Sequence, residues 1–214
     1  DWSSDVCSSD LTDEFCLLGA EVPEKTAEQI EKVLQVPVHQ ISIAGTSLVG
    51  VFAVANSNMV LIPDICFEDE IAELDRLNIP YKILSTRLTA LGNNILLNDS
   101  GCIVNHTFSP VVKQKIGEMV GKEVQTLTLA GVETVGSCAI HNNHGCVIHK
   151  DATEEEMAKV EEVLGVDCTV GSVSQGNSYI NSGVIANNKG FVISDMSTGP
   201  ETQNMDEGLG FLKY

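Results

Sequence analysis

Basic side chains are scarce in this chain: 12 lysines and arginines face 30 aspartates and glutamates, a net charge of −18 over 214 residues. Such a surface repels phosphate backbones instead of displacing their counterions, which disfavours direct contact with nucleic acid and favours a basic protein partner, although acidity is also an ordinary solubility device. Long apolar runs are missing too. The longest, around Met59 to Ile62, is strand-sized, well short of the roughly 18–20 residues of a membrane-crossing helix, so a membrane protein is not expected. The opening "DWSSDVCSSDL" has neither a basic start nor an apolar stretch and does not read as a secretory signal. No C-x-x-C pair occurs among the 7 cysteines. An odd number of scattered thiols fits a reduced, cytoplasmic setting without bridges.

What is present is repetition. "LVGVFAVANSNMVLIP" begins at Leu48, "ALGNNILLNDSGCIVN" at Ala90, "TVGSCAIHNNHGCVIH" at Thr134 and "YINSGVIANNKGFVIS" at Tyr179. Their third positions, Gly50, Gly92, Gly136 and Asn181, are spaced by 42, 44 and 45 residues. Six positions on stands asparagine each time (Asn56, Asn98, Asn142, Asn187), and nine on stands Gly101, Gly145 or Gly190, with Met59 the one departure. Each unit reads as an apolar strand, an Asn-x-x-Gly turn of the kind that tolerates positive φ, and a second apolar strand. A helix start follows. Thr26 with Gln29 and Thr153 with Glu156 have capping-box spacing, and Ser109 precedes Pro110 as an N-cap. A third strand then closes each unit, in "VHQISIAG", "YKILSTR", "VQTLTLAG" and "CTVGSVSQG".

Upstream, "TDEFCLLG" matches the turn and second strand of a further unit, with Thr12 at the asparagine position. Five α/β units of about 44 residues, each too small to bury its own apolar face, must pack on one another, and closure into a ring removes exposed sheet edges.

"SIAGTSLVGVFAVANSN", "RLTALGNNILLND", "AGVETVGSCAIHNNHG" and "GNSYINSGVIANNKG" resemble the translation initiation factor 6 family of ribosome anti-association factors, in its archaeal form. The similarity runs from about Thr12 to Leu212, and "RLTALGN", from Arg87 to Asn93, is its most specific stretch. The resemblance implies a pentein fold, an α/β propeller of five repeats around a pseudo-fivefold axis. It implies a monomer in the cytoplasm, without cofactor or metal, that binds the large ribosomal subunit on its subunit-joining face and keeps the small subunit away. The family also implies about twenty residues of opening strands where this chain has eleven polar ones. Residues 1–11 are therefore expected to be foreign to the fold or divergent, and 12–214 to be a single domain with an incomplete first repeat. Gln175 stands where many relatives carry arginine.

"HNNHGCVIH", residues 141–149, has the density of a metal or Cys/His site. The repeats dissolve it: His141 and His144 fall in a hairpin, His149 at the end of a second strand matching Pro63, Asn105 and Ser194, and Cys146 at an apolar strand position. Penteins also include guanidine-modifying enzymes, amidinotransferases and deiminases. That alternative needs a cysteine, a histidine and paired carboxylates around the centre, which the repeats do not bring together, and no catalytic residue is assigned.

Equivalent loops of a ring line one face. Those joining a third strand to the next first strand span 46–51, 87–93, 133–137 and 177–182. The resemblance puts the ribosome contact there, with Leu48, Gly50, Val51, Arg87, Leu88, Leu91, Asn93, Val135, Tyr179 and Ile180 as candidates. In this reading Leu91 anchors, Asn93 gives directional hydrogen bonds and Arg87 offers a planar donor fork. The competing reading keeps the glycines for tight turns and has Arg87 brace its own unit through Glu73.

Overall fold

A computed structural model of the chain describes residues 9–212. Unit one comprises β1 (Ser9–Leu11), β2 (Cys16–Gly19), helix α1 (Glu24–Leu34) and β3 (Val38–Ile41). Unit two has β4 (Val54–Asn56), β5 (Met59–Pro63), α2 (Glu68–Arg76) and β6 (Tyr81–Leu84). Unit three has β7 (Ile95–Leu97), β8 (Cys102–Val104), α3 (Pro110–Val120) and β9 (Val124–Thr126). Unit four has β10 (Ala139–His141), β11 (Cys146–His149), α4 (Glu154–Leu164) and β12 (Cys168–Gly171), and unit five β13 (Val184–Ala186), β14 (Phe191–Ile193) and α5 (Gly199–Gly208). In units one to four an antiparallel hairpin gains a parallel third strand after its helix; among the described residues sheet five holds β13 and β14.

Ser9–Leu11, part of the segment expected to be foreign or divergent, pair antiparallel with β2, with Leu11 opposite Cys16. A three-residue strand needs no apolar alternation of its own when a capped turn and a buried partner strand set its register. The remaining residues of that segment, 1–8, lie outside the described residues. Among the described residues sheet one has three strands and sheet five two.

The five hairpins share one turn chemistry. The side-chain oxygen of Asn56, Asn98, Asn142 and Asn187 accepts the N–H groups two and three residues ahead at 2.8–3.2 Å. Thr12 does the same with Glu14 and Phe15, both at 3.1 Å. The glycines of these turns do not have the positive φ the sequence reading gave them. They are excluded volume. A Cβ on Gly101 would lie 2.0 Å from Val163 O, one on Gly145 2.1 Å from Gly208 O, and one on Gly190 2.7 Å from Val33 O. Each hairpin thus abuts the C-terminal turn of the next unit's helix, and the asparagine amide donates into the same place: Asn98 Nδ2 to Leu164 O at 2.9 Å, Asn142 Nδ2 to Leu209 O at 3.0 Å and Asn187 Nδ2 to Leu34 O at 2.8 Å. In unit two Met59 replaces the glycine, and the Nδ2 of buried Asn56 has no partner. The hairpin with methionine at the glycine position is thus the one whose amide does not reach a helix end.

The Asn187–Leu34 bond joins the last unit to the first. Asn188 N–H also donates to Asp13 Oδ1 at 2.9 Å, and Lys189 Nζ to Gln35 O at 3.1 Å. The core repeats this pattern: Ile185 of β13 is buried with Cys16, Leu18, Ile30 and Leu34 of unit one, as Leu17 of β2 is with Val60, Ile62 and Leu74 of unit two. Every cluster is completed by the preceding unit, and the ring closes.

The helices hold to their start signals with one exception. Ser109 Oγ accepts from Val112 N–H, and Thr153 and Thr198 form capping boxes with Glu156 and Glu201. Thr26 lies inside the first turn of α1, after its N-cap Pro23.

Candidate interaction face

Four single helical turns, Val49–Phe52, Leu91–Asn94, Val135–Cys138 and Ile180–Ser182, pack side by side around one end of the axis. Glycines make this possible in the first three, while the fourth has Asn181 at the equivalent position. A Cβ on Gly92 would lie 2.1 Å from Gly50 O, and one on Gly136 2.1 Å from Gly92 O, so no side chain fits between these three turns.

This packing divides the candidates. Val49, Leu91, Val135 and Ile180 hold one equivalent position and are 0% exposed. Leu91, Val135 and Ile180 therefore pack the core and are not available as anchors. Their apolar character, read as interface chemistry, answers to the turn's inward face. Gly92 and Gly136 are buried, and Gly50 is half-buried. The residues left facing outward are Leu48, Arg87 and Tyr179, with Val51, Leu88 and Asn93 half-buried. Leu48 and Tyr179 are equivalent, and each N–H is held by the side chain two residues back, Thr46 Oγ1 at 3.1 Å and Asn177 Oδ1 at 3.0 Å.

The loops are braced from the helices. Ala44 and Gly45 N–H donate to the Glu70 carboxylate at 2.9 and 2.8 Å, Ala130 N–H to Glu156 at 3.0 Å, and Gln175 and Gly176 N–H to Glu201 at 3.1 and 2.8 Å. Positive φ at Ala44–Gly45, Ala130–Gly131 and Gln175–Gly176 shapes these turns for one acceptor. Burial raises the pKa of Glu201, but donation from Thr198 N–H, the Ser172 hydroxyl and Gly176 N–H outweighs it and carries the group down to about 2. Unit three departs: Val112 takes the glutamate's place, no positive φ occurs at residues 86–87, and Arg87 replaces the turn glycine. Among the described residues Arg87 makes no ion pair, and Glu73 is taken by Arg76 through Nε at 2.8 Å, so the bracing read for Arg87 does not form. The loop is fixed from beneath, where Asn94 Nδ2 donates to Ala90 O at 2.8 Å and Asn105 Nδ2 to Asn94 Oδ1 at 2.7 Å. Asn93 makes no side-chain hydrogen bond among the described residues.

The axis itself holds a cavity of about 80 Å³ bordered by Gly50, Gly92, Gly136, Asn181 and His141, and a second of about 50 Å³ toward the hairpins, bordered by His141, Asp99 and Asp13. Burial pushes His141 down to about 4, against a bond to the Leu97 backbone and the Asp99 charge, which raise it. The other histidines go elsewhere. His144 is exposed, while His149 is buried, with Nδ1 accepting Asp151 N–H at 3.2 Å and its ring edge-on to Tyr179 at 6.4 Å. Asn105 Oδ1 and Ser194 Oγ accept the N–H two residues ahead in the same way. His149 is the fourth unit's turn cap.

The sequence profile of the eIF-6 family matches residues 7–208. The chain belongs to the eIF-6 family. It is similar to proteins named translation initiation factor 6: 33% identical to that of Pyrococcus horikoshii and 35% to that of Pyrococcus abyssi, each over 94% of this chain and 91% of the relative. The one from Methanosarcina mazei is 32% identical, again over 94% and 91%.

Among solved structures, a dimethylarginine dimethylaminohydrolase from Pseudomonas aeruginosa in complex with citrulline superposes with a TM-score of 0.51 at 12% identity, over 84% of this chain and 71% of that one. A second structure of such an enzyme, an adduct with S-methyl-L-thiocitrulline, gives 0.50 at 10%, over 83% and 69%. At this identity the likeness shows the pentein fold alone. Where a thiol nucleophile would need a lowered pKa, burial pushes Cys66 up to about 11 and Cys102 to about 12. No cysteine borders either axial cavity among the described residues.

Proposed function

We propose that this eIF-6 family member binds the large ribosomal subunit on its subunit-joining face and blocks docking of the small subunit, acting in the cytoplasm as a monomer without cofactor. The observation that carries this reading is the family match across residues 7–208. The outward residues of the loop face, Leu48, Val51, Arg87, Leu88, Asn93 and Tyr179, form the contact. Asn93 and Arg87 have polar groups without partners among the described residues, on a loop held rigid by the Asn94–Asn105 pair, so little ordering opposes binding. With a net charge of −18, the contact is made to a basic ribosomal protein more than to RNA, and charge complementarity speeds encounter. None of the described helices is long and apolar enough to cross a membrane.

Sedimentation with purified large subunits, followed by a subunit-joining assay, tests the reading: the chain should co-sediment and reduce joining. A chain that does neither does not have this function. Catalysis on guanidine substrates is the rival, and a cysteine whose labelling is rate-linked and protected by an arginine-like substrate would favour it.

A further inference from the structure

Phe67 breaks a local rule without gaining anything in folding. It is the N-cap of α2, the position held by Ser109, Thr153 and Thr198 in units three to five, and it supplies no side-chain cap. The Glu70 carboxylate still takes Phe67 N–H at 2.8 Å, but the phenyl ring offers the first turn no acceptor. The ring is 58% exposed, so it is not there to fill the core. It lies on the loop face: a Cβ on Gly45 would meet its Cε2 at 2.8 Å, whereas the equivalent turn glycines Gly131 and Gly176 have nothing within 4 Å. Leu48 and Ile65, three and two positions from this contact pair, are 42% and 45% exposed. Next to Phe67 in the chain the charge is of one sign: Asp64, Glu68 and Asp69 are exposed, and residues 33–75 contain no lysine or arginine.

An exposed aromatic face seated on a backbone turn, with acidic neighbours in the chain, suits a cation: the ring quadrupole attracts an ammonium or guanidinium, the acids neutralise it, and the flanking aliphatic groups cover its stem. We infer that Phe67, seated on Gly45 in an acidic stretch of the chain with Asp64, Glu68 and Asp69, is the anchor that receives an arginine or lysine of a basic ribosomal protein on the large subunit. The inference rests on the proposed function and adds to it the residue and the chemistry of the contact. Unit two becomes the charged-side-chain receptor beside the Asn93 loop of unit three.

The test uses Phe67→Thr, Phe67→Trp and Asn93→Arg in one sedimentation assay with purified large subunits. Phe67→Thr restores a capping hydroxyl, so its melting temperature should equal or exceed the parent's, while subunit binding weakens by about tenfold; Phe67→Trp should keep parental binding. A photocrosslinking phenylalanine analogue at position 67 should label a basic protein. Parental affinity in Phe67→Thr, or a crosslink to ribosomal RNA, overturns the inference. If Asn93→Arg meanwhile loses binding, the proposed function stands without it; a parent chain that does not sediment removes both.

Discussion

The side-chain amide of Asn187 donates to the backbone carbonyl of Leu34 over 2.8 Å, tying two residues 153 positions apart. The corresponding amide of Asn56 has no partner. Asn187→Ala should therefore cost about 2 kcal/mol and Asn56→Ala about half as much, since only the turn cap is lost in the second. Urea denaturation of both variants measures the difference; equal losses would mean that these bonds across the joints contribute nothing.

Sheet five has no third strand on the outer edge of β14 among the described residues, and all three residues of β14 are only half-buried. Hydrogen exchange should find residues 12–18 and 183–194, on either side of this seam, opening more readily than 51–61, where sheet two is complete. Uniform protection across the three segments would refute a weak seam.

Leu91 and Asn93 are two positions apart and should behave oppositely. Leu91→Ala empties a fully buried site and should lower stability by roughly 2–4 kcal/mol. Asn93→Arg should change stability by less than about 1 kcal/mol yet weaken large-subunit binding by about thirtyfold, chiefly through faster dissociation. A variant that binds as tightly as the parent would remove Asn93 from the contact.

Acid should destabilise the ring in two stages. His141 has its pKa lowered from 6.5 to about 4, so the unfolded chain takes up that proton first. Its contribution is complete above pH 6.5 and disappears toward pH 4. Glu201, lowered from 4.5 to about 2, contributes fully above pH 4.5 and loses this between pH 4.5 and 2, by no more than about 3 kcal/mol. Glu201→Gln should flatten the lower limb alone and His141→Gln the upper; unchanged stability profiles between pH 7 and 2 would dissociate both groups from acid unfolding.

The repeat count, the ring and the Asn-led hairpins could be read from spacing because each follows from a side chain acting on its own neighbours: Asn98 needs only the N–H groups of Ser100 and Gly101. What could not be read depends on the next unit. Gly101 looks like a turn glycine until Val163 O is found beneath it, and Leu91 looks like a surface anchor until its turn is seen packed against the core. Phe67 escaped for another reason. Its signal is an aromatic residue where three other units have a hydroxyl, and such a position shows only against units whose helix starts obey the capping rule.

Gly50, Gly92 and Gly136 climb around the axis with each backbone resting on the last, and the hairpin joints repeat between units one and five what they do between three and four. Chain connectivity is therefore not what defines the cycle. The polypeptide could be cut in an exposed turn such as residues 121–123 and respliced elsewhere on the circumference, and the same set of non-covalent locks would reassemble it. For such a circular permutant, folding order would change while the finished architecture would not.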